Sequence, residues 1–264
     1  MLLLLGPVVL WSGGVDHNPA EPRSAPIYTA ASIVNAADNQ SGALAPNTIA
    51  TVYGKNLAYT TRALTASDIL GGVLPTALGT SDVRVMIGGF PANLYYVSPT
   101  QVNFLVPAIL LPGPVNVQLV IDGLAGPGIA MRLAAAAPGL FQLDAVNAVA
   151  TRPDGSVITP DNPARGGDIV ILYATGLGQT VPPVVYGELP TAAAWLTRMA
   201  DFKVIVNGSA VDPGAVLYAG IAPYFAGLYQ INVRLPGVME ANPELRIGLG
   251  DALSLAGVKL PANP

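Results

Sequence analysis

The chain repeats itself, and that repetition limits its folds more than any other feature. Val34-Asn35-Ala36 returns as Val146-Asn147-Ala148. Residues 48–57 (TIATVYGKNL) match residues 168–177 (DIVILYATGL). Residues 82–89 (DVRVMIGG) match 201–208 (DFKVIVNG), and residues 101–107 (QVNFLVP) match 230–236 (QINVRLP). Four blocks in one order, with spacing that drifts slowly, are the mark of a tandem duplication with loop insertions. Each copy is about 110–120 residues, the size of one β-sandwich.

The blocks themselves read as strands. Val83, Val85 and Ile87 alternate with Asp82, Arg84 and Met86, while Phe202, Val204 and Val206 alternate with Asp201, Lys203 and Ile205. A period of two with one polar face is a half-buried strand. Gly88-Gly89 and Asn207-Gly208 follow at once, and such pairs suit two-residue hairpins because both positions tolerate positive φ. Val115, Val117, Leu119 and Ile121 predict another strand, closed by Asp122-Gly123. The 29 Gly and 25 Pro punctuate the chain too often for long helices. The best helical stretch is residues 191–198 (TAAAWLTR), within an inserted loop. The small-residue run 134–139 (AAAAPG) reads as the seam between copies, short enough to hold them close. The expected fold is all-β: two tandem immunoglobulin-like sandwiches from an internal duplication. The expected units are an apolar N-terminal segment plus linker (1–26), a first sandwich (27–138) and a second (139–264).

Charge narrows the function. Charged residues are 11 % of the chain against about 25 % in an ordinary soluble domain. The net charge of −4 and the absence of any Lys/Arg cluster exclude a basic nucleic-acid binder. There is no cysteine, hence no disulfide framework and no thiolate chemistry. The lone His17, in a turn-like Asp-His-Asn-Pro segment, cannot by itself build a triad or a metal cage. Residues 85–121 carry no charge, but Pro91, Pro99, Pro107, Pro112 and Pro114 exclude a spanning helix there. Residues 1–11 (MLLLLGPVVLW) are too short to span. They read as an atypical export signal lacking an early Lys or Arg, as an apolar strand kept to pair with a partner, or as the product of a misplaced start.

The strings IVNAAD, VYGKNL, VMIGGFPANLYYVSPTQVNFLVP, AAAAPGLF, NPARGGDIVILYATGLG and AGLYQINVRLP resemble an uncharacterised C-terminal domain family of large secreted acidobacterial proteins. Its halves are similar to IPT/TIG immunoglobulin-like domains. The resemblance runs from about Ile33 to the end, and it implies a pair of sandwiches outside the cell with no enzymatic activity to carry over. Members of the family usually end a much longer chain, whereas here the pair makes up nearly all of the sequence and the apolar start lies only about 20 residues upstream; these two departures lead to the expectation of a free-standing unit.

Individual residues offer few sites. Asp154, Asp161 and Asp168 crowd one loop, yet their spacing misses the calcium-loop pattern and suits ordinary turns. Gly176-Leu177-Gly178 is followed by Thr-Val-Pro-Pro rather than a helix, so it reads as a bend and not a phosphate loop. Tyr95-Tyr96, Tyr224-Phe225 and Tyr229 suggest an aromatic platform for sugars, weighed against plain core packing. Asn39 and Asn207 match the glycosylation acceptor pattern. No catalytic residue, metal or cofactor is expected.

A charge-poor surface with sheet edges suits burial against copies of itself or another surface protein. The first functional expectation is therefore a secreted, non-catalytic structural subunit of a cell-surface or extracellular assembly, a filament built by strand addition. Leu3, Leu5, Val8 and Leu10 would be its interface. The alternative is an extracellular adhesin or carbohydrate-binding module that uses loops at one end of a sandwich.

Overall fold

The computed structural model describes residues 24–79 and 82–264. Leu3, Leu5, Val8, Leu10 and His17 lie outside the described residues. The first half holds β1 (Ile33–Asn35), β2 (Ile49–Tyr53), β3 (Arg62–Ala63), β4 (Val83–Ile87) and β5 (Phe90–Pro91). It continues with β6 (Asn93–Val97), β7 (Gln101–Leu105), β8 (Gly113–Ile121), β9 (Leu124–Ala125) and β10 (Ile129–Leu133). The second half holds β11 (Gly139–Leu140), β12 (Ala150–Thr151), β13 (Ile169–Thr175), β14 (Thr180–Val181), β15 (Ala194–Leu196) and β16 (Phe202–Val206). It ends with β17 (Ser209–Ala210), β18 (Val216–Ile221), β19 (Tyr229–Arg234), β20 (Leu245–Leu249) and β21 (Ala252–Leu253).

These strands form four antiparallel sheets. In the first half, the sheet β1-β2-β7-β6-β3 faces the sheet β10-β8-β4-β5. One core joins them, with Ile33, Val52, Leu94 and Phe104 from one sheet against Val85, Ile87, Leu119 and Ile121 from the other. In the second half, β11-β13-β19-β18-β15-β14 faces β17-β16-β20-β21. Its core sets Leu172, Ile221, Tyr229 and Ile231 against Val204, Leu245, Ile247 and Leu249. Along strands such as β4, β13, β16 and β19 every second residue points inward, so the alternation read in the sequence is what builds each sandwich.

The duplication survives at the level of register. Ile49 faces Leu105, Thr51 faces Asn103 and Tyr53 faces Gln101. In the second half Ile169 faces Arg234, Ile171 faces Asn232 and Tyr173 faces Gln230. A bulge follows in the same place on the next strand, between Leu94 and Tyr96 in one copy and between Val216 and Tyr218 in the other. The hairpins at Gly88-Gly89 and Asn207-Gly208 are matched, and all four turn residues have positive φ. A two-residue turn twisted this way fits the right-handed twist of its strands.

Two sequence expectations fail. The stretch 191–198 is no helix: Ala194–Leu196 is strand, with Ala194 and Leu196 buried and Trp195 exposed. Eight residues cannot nucleate an isolated helix cheaply, and here an alternating pattern has a sheet to join. The tripeptide match at 34–36 and 146–148 is also not a structural one. Ile33 faces Val52, whereas Leu172, the counterpart of Val52, faces Ala150. Val146 and Asn147 instead belong to a turn in which the Asp144 carboxylate accepts both their backbone N–H groups, each at 2.8 Å.

The halves are fastened to each other. A third apolar cluster combines Ile49, Leu74 and Leu105 with Phe141, Val149, Ala222 and Leu228. The Thr175 hydroxyl accepts from Ile49 N (2.9 Å) and donates to Gly227 O (2.7 Å). Gly227 sits where a Cβ would come within 2.5 Å of Leu105 and 2.8 Å of Ile49, so the close approach needs glycine. The seam is bonded on both sides, Ala134 N to Leu44 O and Ala137 N to Gly176 O, each 2.8 Å. A loop of the second half adds a clasp, with Leu74 N on Gly187 O (2.7 Å) and Leu189 N on Gly72 O (2.8 Å).

Candidate functional site

The outward face of the larger second-half sheet collects the chemistry. Val181, Trp195, Gly220, Gln230 and Tyr173 lie directly opposite one another across neighbouring strands, and so share one face. The adjacent row carries Tyr218, Asn232 and Ile171. Their strand neighbours Leu172, Ala219, Ile221, Ile231 and Val233 are the inward core, which turns this set toward solvent.

Trp195 and Tyr218 pack edge to face, with ring centroids 4.9 Å apart and planes inclined by 70°. Such pairs gain about 0.5–1.5 kcal/mol beyond their buried area and hold both rings in place. Trp195 stays 46 % exposed. The Tyr218 hydroxyl donates to Ile221 O (2.7 Å) and lies 3.2 Å from Ala194 O, so the ring lies along the sheet. Burial raises its pKa, and it serves as a fixed neutral group. Gly220 makes room for this ring. A Cβ there would sit 2.6 Å from the Tyr218 hydroxyl and 2.0 Å from Ala194 O. Beside the rings, Gln230 Nε2 donates to Asn232 Oδ1 at 2.8 Å, which orients both amides. Each amide keeps further donor and acceptor capacity. The face can therefore stack a flat apolar ring surface and exchange hydrogen bonds with neutral hydroxyls.

The residues singled out from sequence are not brought together. Tyr229 is fully buried; its hydroxyl donates to Gly178 O and accepts from Asn47 Nδ2 (3.2 Å), and burial raises its pKa. Tyr95 spends its hydroxyl on Ala226 O (2.7 Å) across the junction, and its pKa is likewise raised by burial. Only Tyr96 lies on an outward sheet face, that of the first half, while Tyr224 and Phe225 are exposed in a turn. The platform proposed from sequence thus dissolves into core, junction and turn. Trp195 and Tyr218 were missed because Trp195 was read into a helix. The signal was present in the alternation of Ala194, Trp195 and Leu196.

Gly176 and Gly178 form a bend pressed on the seam, where a Cβ at Gly176 would stand 2.0 Å from Ala137 O. Asp154 caps Ser156 N (2.9 Å) and Asp168 caps Arg165 N (2.9 Å), as turn residues do. Among the described residues no three His, Cys, Asp or Glu side chains are grouped to hold a metal. Asn39 and Asn207 are exposed and have positive φ. The Asn207 amide is engaged at both ends, by Glu240 (3.2 Å) and by Glu244 N (2.8 Å).

A family model described as the IPT/TIG domain matches residues 33–132, the strands of the first sandwich. The first sandwich thus matches the IPT/TIG domain, and the chain as a whole is a tandem of two immunoglobulin-like β-sandwiches. A search of curated proteins gave no match. Among solved structures the chain is similar to SGBP-B from a xyloglucan utilization locus of Bacteroides uniformis, at 11 % identity and a TM-score of 0.28, covering 90 % of this chain and 49 % of that one. It is similar to the surface glycan-binding protein PbSGBP-B of Prevotella bryantii, at 11 % identity and TM-score 0.28, covering 90 % and 42 %. It is also similar to SGBP-B of a mixed-linkage glucan utilization locus of Bacteroides ovatus, at 12 % identity and TM-score 0.30, covering 89 % and 40 %. The chain spans less than half the length of each of these three chains. Among the described residues, no helix is long and apolar enough to cross a membrane.

Proposed function

We propose that this chain is a non-catalytic, extracellular carbohydrate-binding module, with residues 27–138 and 139–264 as its two sandwich units. The observation that carries the reading is the ordered Trp195–Tyr218 pair beside the linked Gln230 and Asn232 amides on an outward sheet face. Pyranose rings present C–H faces that favour aromatic surfaces, and their hydroxyls need partners that both donate and accept. The aromatic and amide groups of this face are all neutral, which suits a neutral polysaccharide better than an acidic or basic polymer.

The assembly reading is less well supported. Strand addition needs long open edges. Here β3, β5, β14, β17 and β21 have two residues each. Pro182 and Pro183 follow β14 directly, and a contact from Leu44 covers the end of β10. Resemblance to the C-terminal domains of secreted proteins suits a binding appendage equally well.

Native affinity electrophoresis through gels cast with soluble neutral polysaccharides tests the proposal. The expected result is retardation by at least one β- or α-glucan, mannan or xylan, abolished in Trp195→Ala with unchanged circular dichroism. Free migration of the wild-type chain through the whole panel overturns it.

A further inference from the structure

A concavity lies where the two sandwiches meet. A cleft of about 400 Å³ is bounded by the loop after β1, the seam, and the hairpin of β20 and β21. Asp38, Gln40 and Ser41 line it from the first half, and Arg246, Ser254 and Leu255 from the second. Its volume is in the lower part of the range of ligand pockets, about 300–1,000 Å³. That is room for one or two sugar rings but not for a polymer.

The charged groups are held in advance by main-chain contacts. Asp38 Oδ1 accepts Gln40 N at 3.0 Å, which leaves Oδ2 for an outside donor. Arg246 donates Nε and Nη2 to the Ser254 carbonyl at 2.9 and 2.7 Å, which leaves Nη1 for an outside acceptor. Ser254 is itself fixed, its buried hydroxyl accepting Ile247 N at 3.0 Å. Among the described residues no ion pair joins Asp38 to Arg246. Burial pushes the Asp38 carboxyl upward, in keeping with a carboxylate that has lost water without gaining a cation.

We propose that this cleft binds the terminal one or two residues of a neutral glycan, with Asp38 accepting from sugar hydroxyls and Arg246 donating to them. Asp38 disfavours an anion such as phosphate, and Arg246 disfavours a simple cation. A hydroxylated ring can donate to the first and accept from the second without carrying charge. Leu255, 38 % exposed, gives the C–H face an apolar wall. The ligand class rests on the carbohydrate reading above. The site is separate, because it is built from both halves and contains none of the outward-face residues.

Isothermal titration of the full chain with methyl glycosides, disaccharides and, as the zwitterionic control, dialanine tests the site. At least one disaccharide should bind. Asp38→Asn, which keeps the contact to Gln40 N, should weaken it roughly tenfold, as loss of a charge-assisted hydrogen bond implies. Ser41→Trp, which fills the cleft from an exposed position, should abolish it, and Trp195→Ala should leave it unchanged. Three results would overturn the proposal: disaccharide affinity untouched by both cleft variants, dialanine bound in place of every glycoside, or no small sugar bound while Trp195-dependent polysaccharide retardation persists. The last would leave the outward-face reading standing. Loss of polysaccharide retardation with cleft binding intact would sink that reading alone.

Discussion

The outward faces of the two sandwiches share one register and differ at three positions. The first carries Tyr53, Gln101, Asn103 and Tyr96; the second carries Tyr173, Gln230, Asn232 and Tyr218 in the same register. Gln101 donates to Asn103 at 2.8 Å as Gln230 does to Asn232. The first face is satisfied from within. Thr51 adds a second hydrogen bond to Asn103 Oδ1 (3.1 Å), and the Tyr53 hydroxyl goes to Asn39 (3.0 Å). Ser98, in the place of Gly220, is tied to Gln101 through its hydroxyl. On the second face the Tyr173 hydroxyl is likewise bonded, to Thr151 (3.2 Å), but Ile171 replaces Thr51, Gly220 makes room for Tyr218, and Trp195 adds a large exposed ring. One sheet lattice thus recurs in both halves, more fully bonded within the first and carrying an outward-facing aromatic pair in the second.

The most severe way to break this contrast is at Gly220. Gly220→Val should destabilise the protein by about 2–3 kcal/mol, because its side chain would overlap the Ala194 carbonyl and the Tyr218 hydroxyl. The reciprocal Ser98→Gly should cost about 1 kcal/mol, the loss of one local hydroxyl network. Denaturant melts of both variants decide the point, and equal losses would show that the two positions are not counterparts in function. Next in size is binding. Trp195→Ala should cost about 1–2 kcal/mol of polysaccharide affinity with little loss of stability, since Trp195 stands at the end of the face and remains half exposed. Tyr53→Ala on the other face should leave affinity unchanged.

A finer test exchanges the capping residue alone. Ile171→Thr should give Asn232 the second hydrogen bond that Asn103 has, and so reduce affinity about two- to fivefold. Thr51→Ile should not create binding on the first face, because Trp195 has no counterpart there. Titration of both variants against the polysaccharide that retards the wild type measures this directly. A gain of binding in Thr51→Ile would mean that the amide lattice, not the aromatic pair, dominates recognition.

How much of this was legible in the sequence differs by feature. Alternation in 83–87 and 202–206, with Gly-Gly and Asn-Gly after it, placed two hairpins correctly because inward and outward residues differ in polarity there. The duplicated register was legible from the blocks around Tyr53 and Tyr173. The match at 146–148 misled because a three-residue identity ignores the carboxylate of Asp144, which holds those residues in a turn. The proposed binding face was hidden because Trp195, Tyr218 and Gln230 come from three separate strands whose pairing no local pattern encodes. The cleft was hidden for the same reason: Asp38 and Arg246 are neighbours only after the two units dock.

The smallest effect concerns that docked seam. The Asp38 carboxyl is raised in the folded protein by burial, more than its bonds to backbone N–H groups lower it. Folding therefore disfavours the ionised form, so at neutral pH Asp38 subtracts from stability. As pH falls through the raised folded value the group takes up a proton in the native state before it does so in the unfolded chain, and the penalty is relieved. Below the ordinary carboxylate range both states are protonated and no difference remains. Asp38→Asn should accordingly melt slightly higher than wild type at pH 7, and the two curves should converge in acid. No residue on the first outward face should behave this way, since none there is a carboxylate. A variant that melts lower than wild type at neutral pH would mean that the carboxylate has a stabilising partner, and that the cleft is a closed structural contact instead of an open site.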